Sequence, residues 1–134
     1  MKTVLFVPAD SVELYGGKFV VVGVFDTINS DKLPTILRPF SMAIKVLGEK
    51  PDHGKTYDGQ IILRKVNVRK SLFELPIKLR FKKGTISTCS IAVMFPPIKF
   101  DTAGIYIFEL KIGSKVLSDS KIQVVKIKTT KKKK

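Results

Sequence analysis

"DTAGIYIFEL", residues Asp101–Leu110, contains the clearest alternating run of the sequence. After Gly104 its large apolar side chains recur at every second position, at Tyr106, Phe108 and Leu110. A period of two places these side chains on one face of a β-strand, because successive side chains of a strand point to opposite sides of the sheet. The stretch therefore predicts a strand with one buried face, entered through a glycine-marked corner.

The tyrosine at the head of this strand predicts how the corner is held. In sandwich domains a tyrosine near the start of the penultimate strand turns its hydroxyl back onto backbone a few residues upstream. Asp101, Gly104 and Tyr106 stand in that context, one residue away from the Asp-x-Gly-x-Tyr spacing common in such domains. Phe108 stands where a sheet-bridging cysteine would be. The pattern predicts a tyrosine corner with packing in place of a disulfide; the alternative is that Tyr106 is one more half-buried aromatic residue on a strand.

The same alternation recurs along the chain and predicts β-structure almost everywhere. Residues 77–82 alternate apolar with basic side chains, and residues 40–46 place four apolar side chains on one face. Residues 19–25, "FVVVGVF", are apolar on both faces, which is typical of a central strand. Gly16–Gly17 and Gly113–Ser114 predict two-residue hairpin turns between neighbouring strands.

Three stretches lack strand character and are predicted to be loops or single helical turns, namely residues 26–37, 48–59 and 68–75. About eight strands remain, within a range of about seven to nine. We therefore expect an all-β fold with one domain over residues 1–126, followed by a basic, disordered tail at residues 127–134. The tyrosine corner and the hairpins favour an immunoglobulin-like antiparallel β-sandwich without a disulfide.

The chain also resembles a family of small bacterial proteins over nearly its whole length. The segments that carry the resemblance are "ADSVELYGGKFVVVGVFDTI", "LP...PFSMAIKVLGE" and "AGIYIFELKIGSKVLSDSKIQV", in which Gly16-Gly17-Lys18, Gly23-Val24-Phe25-Asp26, Pro34, Phe40 and Gly104-x-Tyr106 match. The resemblance implies an immunoglobulin-like sandwich and implies no activity, because the family is uncharacterised. The segments "RKVNVRK" and "KLRFKK" are more basic than the family pattern, so a function tied to that charge would be particular to this chain.

The chain has few side chains of the types that commonly catalyse reactions, which argues against an enzyme. The chain has one histidine, His53, in a polar loop, and one cysteine, Cys89, in an apolar strand. Asp52 and Asp58 flank the histidine and could act as acid and base, but flanking charges are common in exposed loops. We therefore expect no catalytic site, no bound metal and no cofactor. A single cysteine allows no internal disulfide, and no apolar run is long enough to cross a bilayer, so we expect a cytoplasmic protein without membrane association.

Positive charge is the most unusual feature of the composition. The chain has 25 basic and 11 acidic residues, a net charge of +14, and the six lysines from Lys126 onward account for much of it. Within the body, the excess concentrates in residues 57–100. The candidate binding residues there are Arg64, Lys65, Lys78, Arg80, Lys82 and Lys83. They predict an electropositive sheet face that contacts phosphates or an acidic protein. The alternatives are that these charges keep an edge strand from pairing and keep the protein soluble, or that they reflect a lysine-rich genome.

Three functions remain open on these observations. The favoured one is a non-enzymatic interaction module that binds a protein partner through a sheet edge or loops. The second is a nucleic-acid binder that uses the basic face and the lysine tail without sequence preference. The third is a hydrolase or ligand-binding enzyme, which would need a pocket that contains His53 together with other polar groups.

Overall fold

The structure is a computed structural model that describes residues 1–84 and 87–128. In this part of the chain the backbone forms eleven β-strands and a single turn of 3₁₀ helix at Lys50–Asp52. The strands are β1 (Lys2–Tyr15), β2 (Lys18–Val24), β3 (Thr27–Ser30), β4 (Thr35–Leu37), β5 (Phe40–Gly48), β6 (Thr56–Lys65), β7 (Ser71–Arg80), β8 (Ser87–Phe95), β9 (Ile98–Phe100), β10 (Gly104–Ile112) and β11 (Lys115–Lys126). The predicted basic tail lies outside the described residues from position 129 onward.

The strands form two main sheets and a small two-stranded one. The first main sheet has four strands in the order β2-β1-β5-β8, and the second has five in the order β3-β11-β10-β6-β7. β4 and β9 pair separately. Neighbouring strands are antiparallel, except that β3 runs parallel to β11. The apolar faces of the two main sheets pack on each other, so the predicted all-β class is confirmed and one core serves both sheets.

An aromatic cluster joins the two sheets at the centre of the core. Phe40 on β5 stacks on Phe95 of β8, with ring centroids 4.8 Å apart. Phe108 reaches both rings from β10 in the opposite sheet, at 5.9 Å from Phe40 and 5.8 Å from Phe95. All three rings are buried, and such edge-to-face and stacked pairs add to the gain from burial alone. Aromatic packing therefore connects the sheets at the position where the sequence places a phenylalanine instead of a cysteine.

The two predicted hairpin turns are confirmed. Gly16 and Gly17 connect β1 to β2 with φ angles of 49° and 79°, a conformation that glycine adopts without steric cost. Gly113, with φ of 61°, begins the turn between β10 and β11. The strands that flank these turns are paired in register up to the turn itself, at Tyr15 with Lys18 and at Ile112 with Lys115.

The structure differs from the sequence predictions at several strands. β2 lies at the edge of its sheet, whereas the apolar run at residues 19–25 predicts a central strand. The predicted loop at residues 26–37 contains β3 and β4, β6 begins inside the predicted loop at 48–59, and β7 takes up residues 71–75. Eleven strands form within residues 1–84 and 87–128, instead of about eight. The additional strands are three or four residues long, too short to display an alternation of buried and exposed side chains.

The predicted corner is held by Tyr106. Its hydroxyl donates a hydrogen bond to the backbone carbonyl of Thr102, four residues upstream, at 2.7 Å. The ring is buried and packs edge-to-face on Phe100, with centroids 4.8 Å apart. Gly104 has a φ of 141°, a conformation that side chains other than glycine rarely adopt, and so allows the chain to turn into β10. Asp101 takes no part in this hydrogen bond; its nearest cation is Lys99, at 3.8 Å.

Replacing Tyr106 by phenylalanine is expected to lower the free energy of unfolding by about 1 kcal/mol, because the Thr102 carbonyl loses its donor while the ring packing is kept. Urea denaturation measures the change. Tyr15→Phe is the matched control, since the Tyr15 side chain is exposed and its loss of a hydroxyl should leave the stability unchanged. Equal stabilities of Tyr106→Phe and the unmodified protein would show that this bond does not hold the corner.

Candidate functional site

The open edges of the two main sheets are the first candidate binding surfaces. β2 and β8 end the four-stranded sheet, and β3 and β7 end the five-stranded sheet. An open edge presents unpaired backbone N–H and C=O groups that can pair with another chain. Two of these edges carry features that hinder such pairing. β3 has four residues, and β7 carries the exposed Pro76, Lys78 and Arg80. The third edge, β8, has neither feature.

The fourth edge, β2, has none of these protections. Its outward valines Val20, Val22 and Val24 are 45%, 57% and 59% exposed. Lys18, at the start of the strand, is its single charged residue. The hairpin tip beside it also exposes Leu14 and Tyr15. We call the strand Lys18–Val24 with its three outward valines the β2 edge; it is an apolar strand with an open side of the kind to which an extended segment can be added.

The predicted basic face is partly neutralised by its neighbours. Arg64 forms a bidentate ion pair with Glu109 of the adjacent strand β10, with Nε–Oε1 and Nη2–Oε2 distances of 3.0 and 3.3 Å. This carboxylate raises the pKa of the guanidinium. Lys78 donates to Asp58 of β6 at 2.8 Å, and this hydrogen bond lowers the pKa of Asp58. The outer face of the five-stranded sheet therefore carries mixed charge instead of a continuous positive field.

The remaining predicted binding residues lie in three different places. Lys65 donates to the Thr102 hydroxyl at 2.8 Å and lies 6.0 Å from the centre of the Tyr106 ring, so it supports the corner. Lys83 lies over Gly54 through the aliphatic part of its side chain. Arg80 and Lys82 join Lys78 in lining a groove. The structure thus brings together three of the six predicted residues and separates the other three from them.

This groove, which we call the basic groove, lies where the edges of the two sheets approach each other. It has a volume of about 480 Å³. Its lining consists of Leu14 and Gly17 from the β1–β2 hairpin, Lys78, Arg80 and Lys82, and residues 87–91 of β8. Ser87 is buried, and its Oγ has no hydrogen-bond partner in the part of the chain that the structure describes. Three cations and Ser87 therefore line one concave surface. The sequence placed the three cations side by side but did not bring Ser87 to them.

Cys89, which also lines the groove, has the character of a packing residue. It is buried on β8 and accepts a hydrogen bond from the Arg80 backbone. Burial raises the pKa of its thiol, which keeps the sulfur protonated and unreactive at neutral pH.

The acidic residues beside His53 have structural partners. Asp52 is buried, accepts a hydrogen bond from the Tyr57 hydroxyl at 2.7 Å and another from the Glu49 backbone N–H at 2.9 Å. These bonds lower the pKa of Asp52 to about 2. Asp58 is exposed and bound to Lys78. Asp52 is thus a fixed anion that orders the loop, and Asp58 is paired with a cation of the neighbouring strand.

The geometry defines an all-β protein with two packed sheets, an open apolar strand edge and a basic groove. Within residues 1–84 and 87–128, no helix is both long and apolar enough to cross a membrane, and no three side chains of the metal-ligating types form a cluster. Residues 4–125 match the model of DUF6941, a family of unknown function, and the chain belongs to this family. No protein of curated function and no solved structure matches the chain.

Proposed function

We propose that the protein is a non-enzymatic interaction module that binds an extended segment of a partner protein along the β2 edge. The observation that carries the proposal is the exposure of Val20, Val22 and Val24 on a strand that pairs on one side. An added strand would satisfy the outward backbone groups of β2, and its side chains on the same sheet face would pack beside the valines. Specificity would come from the alternate side chains of the partner, which face the valines.

The size of the apolar contribution favours a real binding surface. Burying a valine side chain fully contributes about 1.5 to 3 kcal/mol, so covering three that are half exposed contributes roughly 1 kcal/mol each. A seven-residue apolar strand left uncovered is also an aggregation hazard, which natural proteins avoid at their sheet edges. β7 carries a proline and two cations on its exposed side, whereas β2 does not. This contrast supports a functional reason for the open edge of β2.

Charge favours a different protein over a second copy of this chain as the partner. Each copy carries a net charge of +14, so two copies repel each other at low ionic strength. An acidic partner is attracted by the same field and associates faster. We therefore infer that the partner segment alternates aliphatic side chains and belongs to an acidic protein.

We further propose that the sandwich is of immunoglobulin-like type. The pairing of β10 with β6 and β11, and of β5 with β1 and β8, supports this assignment because it matches strands F, C and G in one sheet and B, A and E in the other. β7 then corresponds to the additional strand of variable-type domains. Tyr106 fits the tyrosine corner at the start of strand F, and Phe108 follows at the cysteine position.

The proposal includes a reducing, cytoplasmic setting in a bacterial cell. Its support is the single, buried Cys89 and the aromatic packing of Phe108 in place of a bridging disulfide.

Site-specific photo-crosslinking in the native host tests the interaction. A photo-reactive amino acid at position 22 is expected to give a discrete covalent adduct with an acidic protein, because this side chain would face the added strand. The control is position 4, since Val4 is also 57% exposed but lies on β1 away from the β2 edge. The adduct from position 22 should disappear when Val20→Lys is added, because a lysine would replace the apolar contact between Val20 and the aliphatic side chain of the added strand.

Two outcomes would contradict the proposal. Adducts of equal amount from positions 4 and 22 would show indiscriminate collision, and no adduct from position 22 would show that the β2 edge is unused. An adduct that contains only this chain would replace the acidic partner by a second copy. Circular dichroism of the variants should show the unmodified strand content, since the substituted side chains are exposed.

A further inference from the structure

We propose that the basic groove binds a small phosphate-bearing molecule. This inference concerns a surface distinct from the β2 strand and does not rest on the partner proposed above. The groove volume of about 480 Å³ lies within the range of about 300 to 1,000 Å³ that is usual for small-molecule sites. Leu14 and Ile91 contribute apolar parts of the lining, while three cations and three hydroxyl residues contribute its polar part.

The cations of the groove suit a phosphate group. Lys78 and Arg80 occupy alternate positions at the end of β7, which places both side chains on one side of the strand, and Lys82 follows just beyond it. Arg80 and Lys82 form no ion pair with the carboxylates of the described residues. The Lys78–Asp58 pair is exposed, and such pairs are weak, so a phosphate can share the ammonium group.

The unsatisfied hydroxyl gives independent support for a ligand. A buried hydroxyl without a hydrogen-bond partner costs stability, and native proteins retain few of them. Among the described residues Ser87 Oγ is such a group, and Ser87 is one of the residues that line the groove, with Lys82, Thr88 and Ser90. A turn of the Ser87 side chain toward the groove would let a phosphate oxygen accept its O–H, so the ligand would supply the missing partner.

A small molecule fits the groove better than a nucleic-acid strand. Proteins that bind single strands stack bases on aromatic side chains, and the groove has none among its lining residues. A strand also needs positive charge along its path, whereas the adjacent sheet face pairs Arg64 with Glu109.

Isothermal titration with pyrophosphate and with adenosine diphosphate tests the inference, with inorganic phosphate and a twenty-nucleotide single-stranded DNA as comparison probes. Pyrophosphate or the diphosphate is expected to bind the unmodified protein. Arg80→Glu and Lys82→Glu should each weaken that binding at least about tenfold, because each removes a charge-assisted contact and adds repulsion. Lys115→Glu is the matched control: this exposed lysine begins β11, outside the groove, and its reversal should change the affinity little.

The Ser87→Ala variant separates a ligand contact from general charge attraction. It should weaken binding several-fold, about the value of one hydrogen bond, while the protein without ligand keeps or gains thermal stability because an unsatisfied group is removed. Thr3→Val is its control, since Thr3 Oγ1 is also buried without a partner but Thr3 is not a groove residue; it should leave the affinity unchanged.

Three results would overturn the inference. They are no binding of any phosphate probe at millimolar concentration, an equal loss of affinity in Lys115→Glu and Arg80→Glu, and DNA binding through Arg80 and Lys82 without binding of the small probes. Binding of inorganic phosphate equal to that of the larger probes would support the phosphate site and identify free phosphate as its ligand.

Discussion

Phe108→Ala is expected to lower the free energy of unfolding by about 4 kcal/mol, the largest effect of any substitution considered for this protein. The Phe108 ring is fully buried and contacts Phe40 and Phe95 of the opposite sheet. Its removal takes away the apolar contacts and leaves a cavity between two sheets that are each held rigid by their own ladders. Urea denaturation followed by circular dichroism measures the change.

Phe108→Leu keeps the test decisive if the alanine variant does not fold. A leucine fills part of the space, so the expected loss is about 1 to 2 kcal/mol. A native-like stability of both variants would mean that the aromatic cluster does not join the sheets. The control is Tyr15→Leu at the exposed hairpin tip, where loss of a ring should cost little.

Asp52→Ala is expected to have the second largest effect, a loss of about 3 kcal/mol. The substitution removes the acceptor of two hydrogen bonds to a charged group, from the Tyr57 hydroxyl and from the Glu49 backbone N–H. Both donors then remain without their partner in a part-buried loop. Tyr57→Phe removes one of the two bonds and should cost less than Asp52→Ala. Equal stability of Asp52→Ala and the unmodified protein would refute the structural role of this carboxylate.

The Asp52 carboxylate also makes the stability of the protein depend on pH. Its pKa is lowered from 3.8 to about 2, first by the Tyr57 hydroxyl and then by the Glu49 N–H. A lowered pKa in the folded state means that the contribution of Asp52 is present in full above pH 3.8 and is lost as the pH falls through about 2. Denaturation in this range should show a smaller decline in Asp52→Asn than in the unmodified protein. Identical declines would contradict the cause assigned to the shift.

The elements that the sequence predicts best are those whose signals are local. The alternation at Tyr106, Phe108 and Leu110 and the glycines of the two hairpin turns identify strands and their connections directly. The corner could also be predicted, because a tyrosine hydroxyl four residues from its acceptor depends on the local course of the chain. The acceptor itself, Thr102, was missed, since any residue supplies a carbonyl group.

The misplaced strand shows where the sequence signal is ambiguous. Residues 19–25 are apolar on both faces, and this pattern is shared by a strand buried between two layers and by an edge strand with an exposed apolar face. Gly23 distinguishes the edge strand from the buried strand, because its φ of 72° departs from regular extended backbone. The turn at Gly16–Gly17 predicts that β2 pairs with β1. It does not predict whether another strand lies on the opposite side of β2.

The candidate groove could be predicted only in part. Lys78, Arg80 and Lys82 occupy alternate positions of "KLRFKK", which predicts that they point to the same side, and they do share a groove. Their long-range partners depend on strand register, which places Asp58 beside Lys78 and Glu109 beside Arg64. Ser87 enters the site through contact between the edges of two different sheets, for which a single sequence holds no signal.

Amide hydrogen exchange along β2 tests the central claim, that this edge is open in the isolated protein and available for an added strand. In dilute purified protein, we expect the amide exchange rates to alternate between slow and fast along Lys18–Val24. The amides directed toward β1 exchange slowly because they are hydrogen-bonded, and those directed outward exchange at nearly the rate of an unstructured chain. Slow exchange at every amide of β2 would contradict the account, because the outward groups would then already be paired.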